Sequence, residues 1–204
     1  MTALLRYRLI FSLFPFLLVF VPGIAHAHVG MGEAGGCVHG MLHPFLGLDH
    51  LCAMVAVGLW AAQMGGRALW LAPLTFVGVM ALGGFTGMAA IALPPIVEGG
   101  IEGGILMSLL VLGVLIAAAI RLPLTVSLAL VGFFALFHGY AHGAEMPRSV
   151  SGLNYALGFT LSTAALHGVG IGMATLLAKT GRPHCLRLAG ASVALFGGAL
   201  FFVG

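Results

Sequence analysis

The chain has 204 residues, 61% hydrophobic and 6% charged, with a mean hydropathy of +1.15; a soluble domain of this length could not bury so much apolar surface, so most of it must face lipid. Eight Lys or Arg against five Asp or Glu give a net charge of +3, confined to loops and ends without a basic stripe, which argues against a nucleic-acid partner. Cys37, Cys52 and Cys185 form no CxxC pair, so neither a disulfide framework nor a zinc ribbon is indicated.

The first element reads as a targeting signal. Arg6 and Arg8 precede an apolar run from Leu9 to Val21, and Ala25-His26-Ala27 supplies the Ala-x-Ala ending of a signal-peptidase site. Residues 1–27 are expected to be a cleavable signal peptide that takes His26 with it. The mature chain, 28–204, is expected to be a single transmembrane domain beginning at His28.

Breakers and charges divide the mature chain into six apolar stretches of spanning length, about 40–63, 68–93, 101–120, 122–145, 152–178 and 186–204. The fold expected is therefore all-α and polytopic, a six-helix transmembrane bundle. With the mature N-terminus in the periplasm, inner loops carry Arg67, Arg121, Lys179, Arg182 and Arg187, while Arg148 alone lies outside. This satisfies the positive-inside rule. Glu33, Glu98, Glu102 and Glu145 then fall at or near the outer face. Glycines at close-packing intervals, Gly139-xxx-Gly143 and Gly168-xxx-Gly172, suit a tightly packed bundle, and a homo-oligomer is compatible with such faces.

Ionisable groups in a bilayer are costly unless paired or hydrated, so nine histidines in this chain call for a reason. The first span opens with "HPFLGLDH". On a regular helix His39, His43, His50 and Met54 share a stripe within about 60°, while Asp49 points to an adjacent face and suits a partner that orients an imidazole. Pro44 favours a helix start, which leaves the stripe secure only for His50 and Met54. The fourth span ends "FHGYAHGAE", placing His138, His142 and Glu145 at i, i+4 and i+7 on one face. Opposite helix directions bring the two clusters to the same outer side. Imidazole nitrogen with carboxylate oxygen suits a divalent first-row metal, and the lack of grouped thiolates disfavours Cu(I).

Other polar residues are open to two readings. Glu102 serves as ligand or helix-start charge, and His167, one turn after Thr163, as deeper stepping site or packed histidine. His28, at a free mature N-terminus, can chelate through amine and imidazole. A different class, a haem-binding electron-transfer protein using His138 and His167 as axial ligands, is the alternative function. An enzyme is disfavoured, since neither HExxH nor another hydrolytic motif is present.

"HPFLGLDHLCAM", "FHGYAHGAEMP" and "ALHGVGIG" together resemble the HupE/UreJ family of small nickel permeases, over nearly the whole mature chain. The resemblance implies secondary transport of Ni2+, with Co2+ as a second cargo, across the bacterial inner membrane to supply hydrogenase or urease maturation, with no permanently bound cofactor. By matching position it implies site roles for His43, Asp49, His50, His138, His142 and Glu145, and it adds Glu102 and Phe76 to the pathway.

Overall fold

Prolines and glycines set where the helices start and stop. The computed structural model describes residues 33–203 apart from 90, 92 and 148, so the signal segment and His28 lie outside the described residues. Within them the order is α1 (Glu33–Leu42), a 3-10 turn (His43–Phe45), α2 (Leu48–Met64), α3 (Ala68–Met88), the single turn α4 (Pro95–Glu98), α5 (Ile101–Ala117), α6 (Leu124–Ala144), α7 (Gly152–Lys179) and α8 (Pro183–Val203). Pro95 and Pro183 open their helices and Pro123 caps α6, where a missing N–H costs nothing.

The protein is an all-helical, multi-pass membrane protein. Helices α3, α6, α7 and α8 are long and apolar enough to cross a bilayer, and α1 with α2 makes a fifth candidate if the bent pair is one span. The expected first span, 40–63, is not one helix. Pro44 and Gly47 interrupt it, and the pieces on either side meet at 82°, so the stripe running from His39 through His43 to His50 does not exist. The third span is also shorter than expected: α5 stops at Ala117 after 17 residues, a rise of about 26 Å against about 30 Å of hydrocarbon.

Outward-facing side chains include Trp70, Leu74, Leu153, Leu195 and Phe202, all exposed. This lipid-facing surface accounts for the hydrophobic composition. Inside, α3 packs along α6, α5 along α8, and α7 carries both α1 and α2. Gly139 and Gly143 let α6 close on α3: a Cβ on either would fall on the carbonyl oxygen of Met80 or Gly84. Gly168 and Gly172, by contrast, face open space, and the close approach of α7 to α2 is made instead by Gly170 and Gly58.

At the end of the bundle bearing Arg67, Arg121 and Lys179, three side chains donate to carbonyls at and just beyond the end of α5. Trp60 Nε1 donates to Ile120 O at 3.1 Å, Gln63 Nε2 to Ile116 O at 3.1 Å, and Arg187 Nε to Ala117 O at 2.8 Å. The chain leaves α5 through Ala119, which has φ +57°, and Ile120 N–H bonds Leu115 O at 2.9 Å. Glycine is the usual residue at such a turn, and Gly181 fills the same place after α8's predecessor, α7. Left-handed backbone costs an L-residue about 1–2 kcal/mol, part of which glycine's freedom in the unfolded chain offsets. Ala119→Gly is therefore expected to raise stability by about 0.5–1 kcal/mol, read as a higher midpoint of thermal unfolding in detergent.

Candidate metal centre

The break in the first span builds the opposite end of the bundle. Because the chain turns at His43–Phe45 and restarts at Leu48, His43 stands at the rim while His50 points inward. Gly47 is the helix N-cap, and a Cβ there would meet Asp49 Oδ1 at 2.7 Å and His50 Nδ1 at 2.9 Å. The missing side chain leaves room for that pair to fold back over the helix start. Asp49 Oδ1 accepts from His50 N–H at 2.8 Å and lies 2.9 Å from His50 Nδ1. A carboxylate so placed accepts a hydrogen bond from Nδ1–H and so holds the proton on Nδ1, which leaves Nε2 of His50 as the lone-pair nitrogen. That Nε2 is buried and has no hydrogen-bond partner.

Helix α6 supplies the other half. The imidazoles of His138 and His142 are buried one turn apart, and Glu145 caps the helix at the surface. Facing rings step inward in order: His43 to His142 at 4.8 Å, His142 to His50 at 4.3 Å, and His50 to His138 at 5.2 Å between centroids. Two three-residue groups, each with ligand atoms all within 4.8 Å of one another, result: His43, His142 and Glu145 at the rim, and His50, His138 and His142 beneath it. His142 belongs to both, and neither of its ring nitrogens has a hydrogen-bond partner.

The rim is ionic. His43 Nε2 lies 3.0 Å from Glu145 Oε2, and this hydrogen bond holds the Glu145 carboxyl below the usual carboxylate range, against the smaller opposing effect of partial burial. His43, Asp49, His50, Glu102, His142 and Glu145 line an open recess of about 270 Å³, room for a cation with several of its waters. Glu102 is exposed and faces this recess from the start of α5. His39, on α1, belongs to neither group.

Deeper in, Phe76 is fully buried and packs against both His138, at 5.5 Å, and His167, at 5.1 Å. Phe76, the aromatic position that the family resemblance adds to the pathway, thus touches two imidazoles.

Ser108 escaped the reading of the sequence. Its hydroxyl donates to Ile105 O at 2.6 Å, so toward His138 Nε2, 3.1 Å away, it can only accept. His138 must then carry its proton on Nε2, leaving Nδ1, which is buried without a partner, as the nitrogen able to bind a metal. The available signal was a lone hydroxyl within the otherwise apolar "GILMSLLVLG". Ser108→Ala is expected to lower affinity for a divalent ion such as Ni2+ by about 10-fold to 100-fold, with Ser108→Thr restoring it; equilibrium dialysis of the purified protein measures both.

Residues 16–200 match the family described as HupE / UreJ protein. The chain is 46% identical over 180 residues, covering 88% of its length and 91% of the relative's, to Protein HupE of Rhizobium leguminosarum bv. viciae. No solved structure matches it.

Proposed function

Because the chain belongs to the HupE/UreJ family, whose members are permeases and not enzymes, we propose that it takes up Ni2+, with Co2+ as second cargo, across the bacterial inner membrane for hydrogenase or urease maturation. The observation that carries this reading is the pair of ligand groups joined at His142 and opening on the acidic recess. A hydrated cation is collected by Glu145, Glu102 and His43. It exchanges water for imidazole at His142 and passes to His50 and His138, without leaving the shared ligand until the next is engaged. Asp49 orients His50 and Ser108 orients His138, so the donors are set before the ion arrives. The mixed nitrogen and oxygen set binds firmly enough for entry and loosely enough for release.

The topology that goes with this reading keeps six membrane segments, with the bent first pair and the short α5 as two of them. The end bearing Arg67, Arg121, Lys179, Arg182 and Arg187 faces the cytoplasm, and a cleaved signal leaves His28 at the periplasmic N-terminus as a further ligand.

Radiolabelled Ni2+ uptake into proteoliposomes, with Co2+ and Zn2+ as competitors and with or without a proton gradient, tests cargo and coupling together. Accumulation no faster than in protein-free vesicles would overturn the proposal. The same assay reads the pH dependence. Only neutral imidazole binds metal, so uptake is expected to fall as external pH is lowered. Glu145 stays ionised below the usual carboxylate range because His43 keeps its carboxyl acidic, so the rim retains its anionic oxygen as the pH falls.

A further inference from the structure

Below the histidine ladder lies a group of side chains that the route described above does not use. Met54 on α2 and Met80 on α3 direct their sulfurs at one hydroxyl on α7: Thr163 Oγ1 is 3.4 Å from Met54 Sδ and 3.8 Å from Met80 Sδ. His167 follows Thr163 by one turn on the same face. All four side chains are buried, and both ring nitrogens of His167 lack a hydrogen-bond partner. A polar group left in that condition destabilises the fold, a cost that an apolar residue of similar size would avoid. Phe76 touches both His138, from the ladder, and His167, from this group.

We propose that Met54, Met80 and His167 form a second cation site, of thioether and imidazole donors, that takes a soft monovalent ion stripped of its water. Three neutral donors from three helices carry no counter-charge, unlike the ligand groups at the rim. In a low-dielectric interior the desolvation penalty climbs steeply with ionic charge, so an uncharged site holds a monovalent ion and excludes a divalent one. Thioether sulfur adds the preference for soft ions of the Cu(I) and Ag(I) type. Thr163 keeps the two sulfurs side by side when no ion is bound. The site makes the protein sensitive to Ag+, whichever divalent ion the rim accepts.

The test uses the full chain in nanodiscs with Cys37→Ser, Cys52→Ala and Cys185→Ser, so that no thiol competes for silver, and methionines carrying 13C-labelled methyl groups. On titration with AgNO3 the methyl signals of Met54 and Met80, assigned from the single leucine variants, are expected to shift together and saturate at one equivalent. Met54→Leu/Met80→Leu, which keeps side-chain volume, and His167→Gln are each expected to weaken Ag+ binding roughly tenfold or more. Methyl signals of Met54 and Met80 that stay in place while other methionines move, or unchanged Ag+ affinity in the double variant, would overturn the site. Silver binding is read without transport, so absent Ni2+ uptake with intact Ag+ binding counts against the proposed function alone.

Discussion

His142→Ala is expected to reduce Ni2+ uptake about 100-fold or more, the largest loss for any single histidine. The reason is its position. His142 is common to both ligand groups, so its removal leaves His43 with Glu145 above and His50 with His138 below, two incomplete pairs with a gap between them. His43→Ala and His138→Ala each remove a ligand from one group only, and each should leave more residual uptake than His142→Ala. His39→Ala serves as the control, since His39 belongs to neither group, and is expected to transport like the parent protein. Initial rates in proteoliposomes, with unfolding midpoints recorded for every variant, separate a lost ligand from a lost fold. Equal rates for His142→Ala and the parent would remove the shared-ligand mechanism.

Gly139→Val is expected to cost about 3 kcal/mol or more. A side chain there runs into the Met80 carbonyl, and backbone cannot yield as a flexible side chain can. The helices must separate, and both faces of the cavity go with them: α6 carries His138 and His142, while α3 carries Phe76 and Met80. Gly168→Val, at a position facing open space, is expected to be tolerated except for the modest helix-propensity change of a β-branched residue. Unfolding titrations in mixed micelles compare the two. A Gly139→Val protein as stable as Gly168→Val would show that α3 and α6 do not meet as closely as described.

Most of the architecture was readable before any coordinates, because a bilayer leaves few choices. A long apolar run must hydrogen-bond its own backbone, which forces helix, and the turns expected at Gly65-Gly66, Arg121-Leu122-Pro123 and Lys179 to Pro183 lie between the observed helices. The periodicity of "FHGYAHGAE" placed His138 and His142 on one face of α6, as found. Where hydropathy alone was used, at 40–63 and 101–120, it gave helices that were too long or too regular. Apolar content cannot register the bend that Pro44 and Gly47 impose, nor the left-handed exit at Ala119. Gly168-xxx-Gly172 had the right spacing on the wrong face, because spacing says nothing about which side of a helix has a neighbour.

Sequence by itself therefore determined that this is a helical membrane protein, where its imidazole and carboxylate groups fall along the chain, and which family it belongs to, all properties set by composition and by local order along the chain. Tertiary structure alone decided the rest: that His142 is shared, that Ser108 sets the proton on His138, that Phe76 touches two imidazoles, and that two methionines meet at Thr163. Each depends on distances between helices tens of residues apart in the chain. Those distances are set by how closely glycine faces allow backbones to approach, a property of pairs of surfaces that no single segment contains.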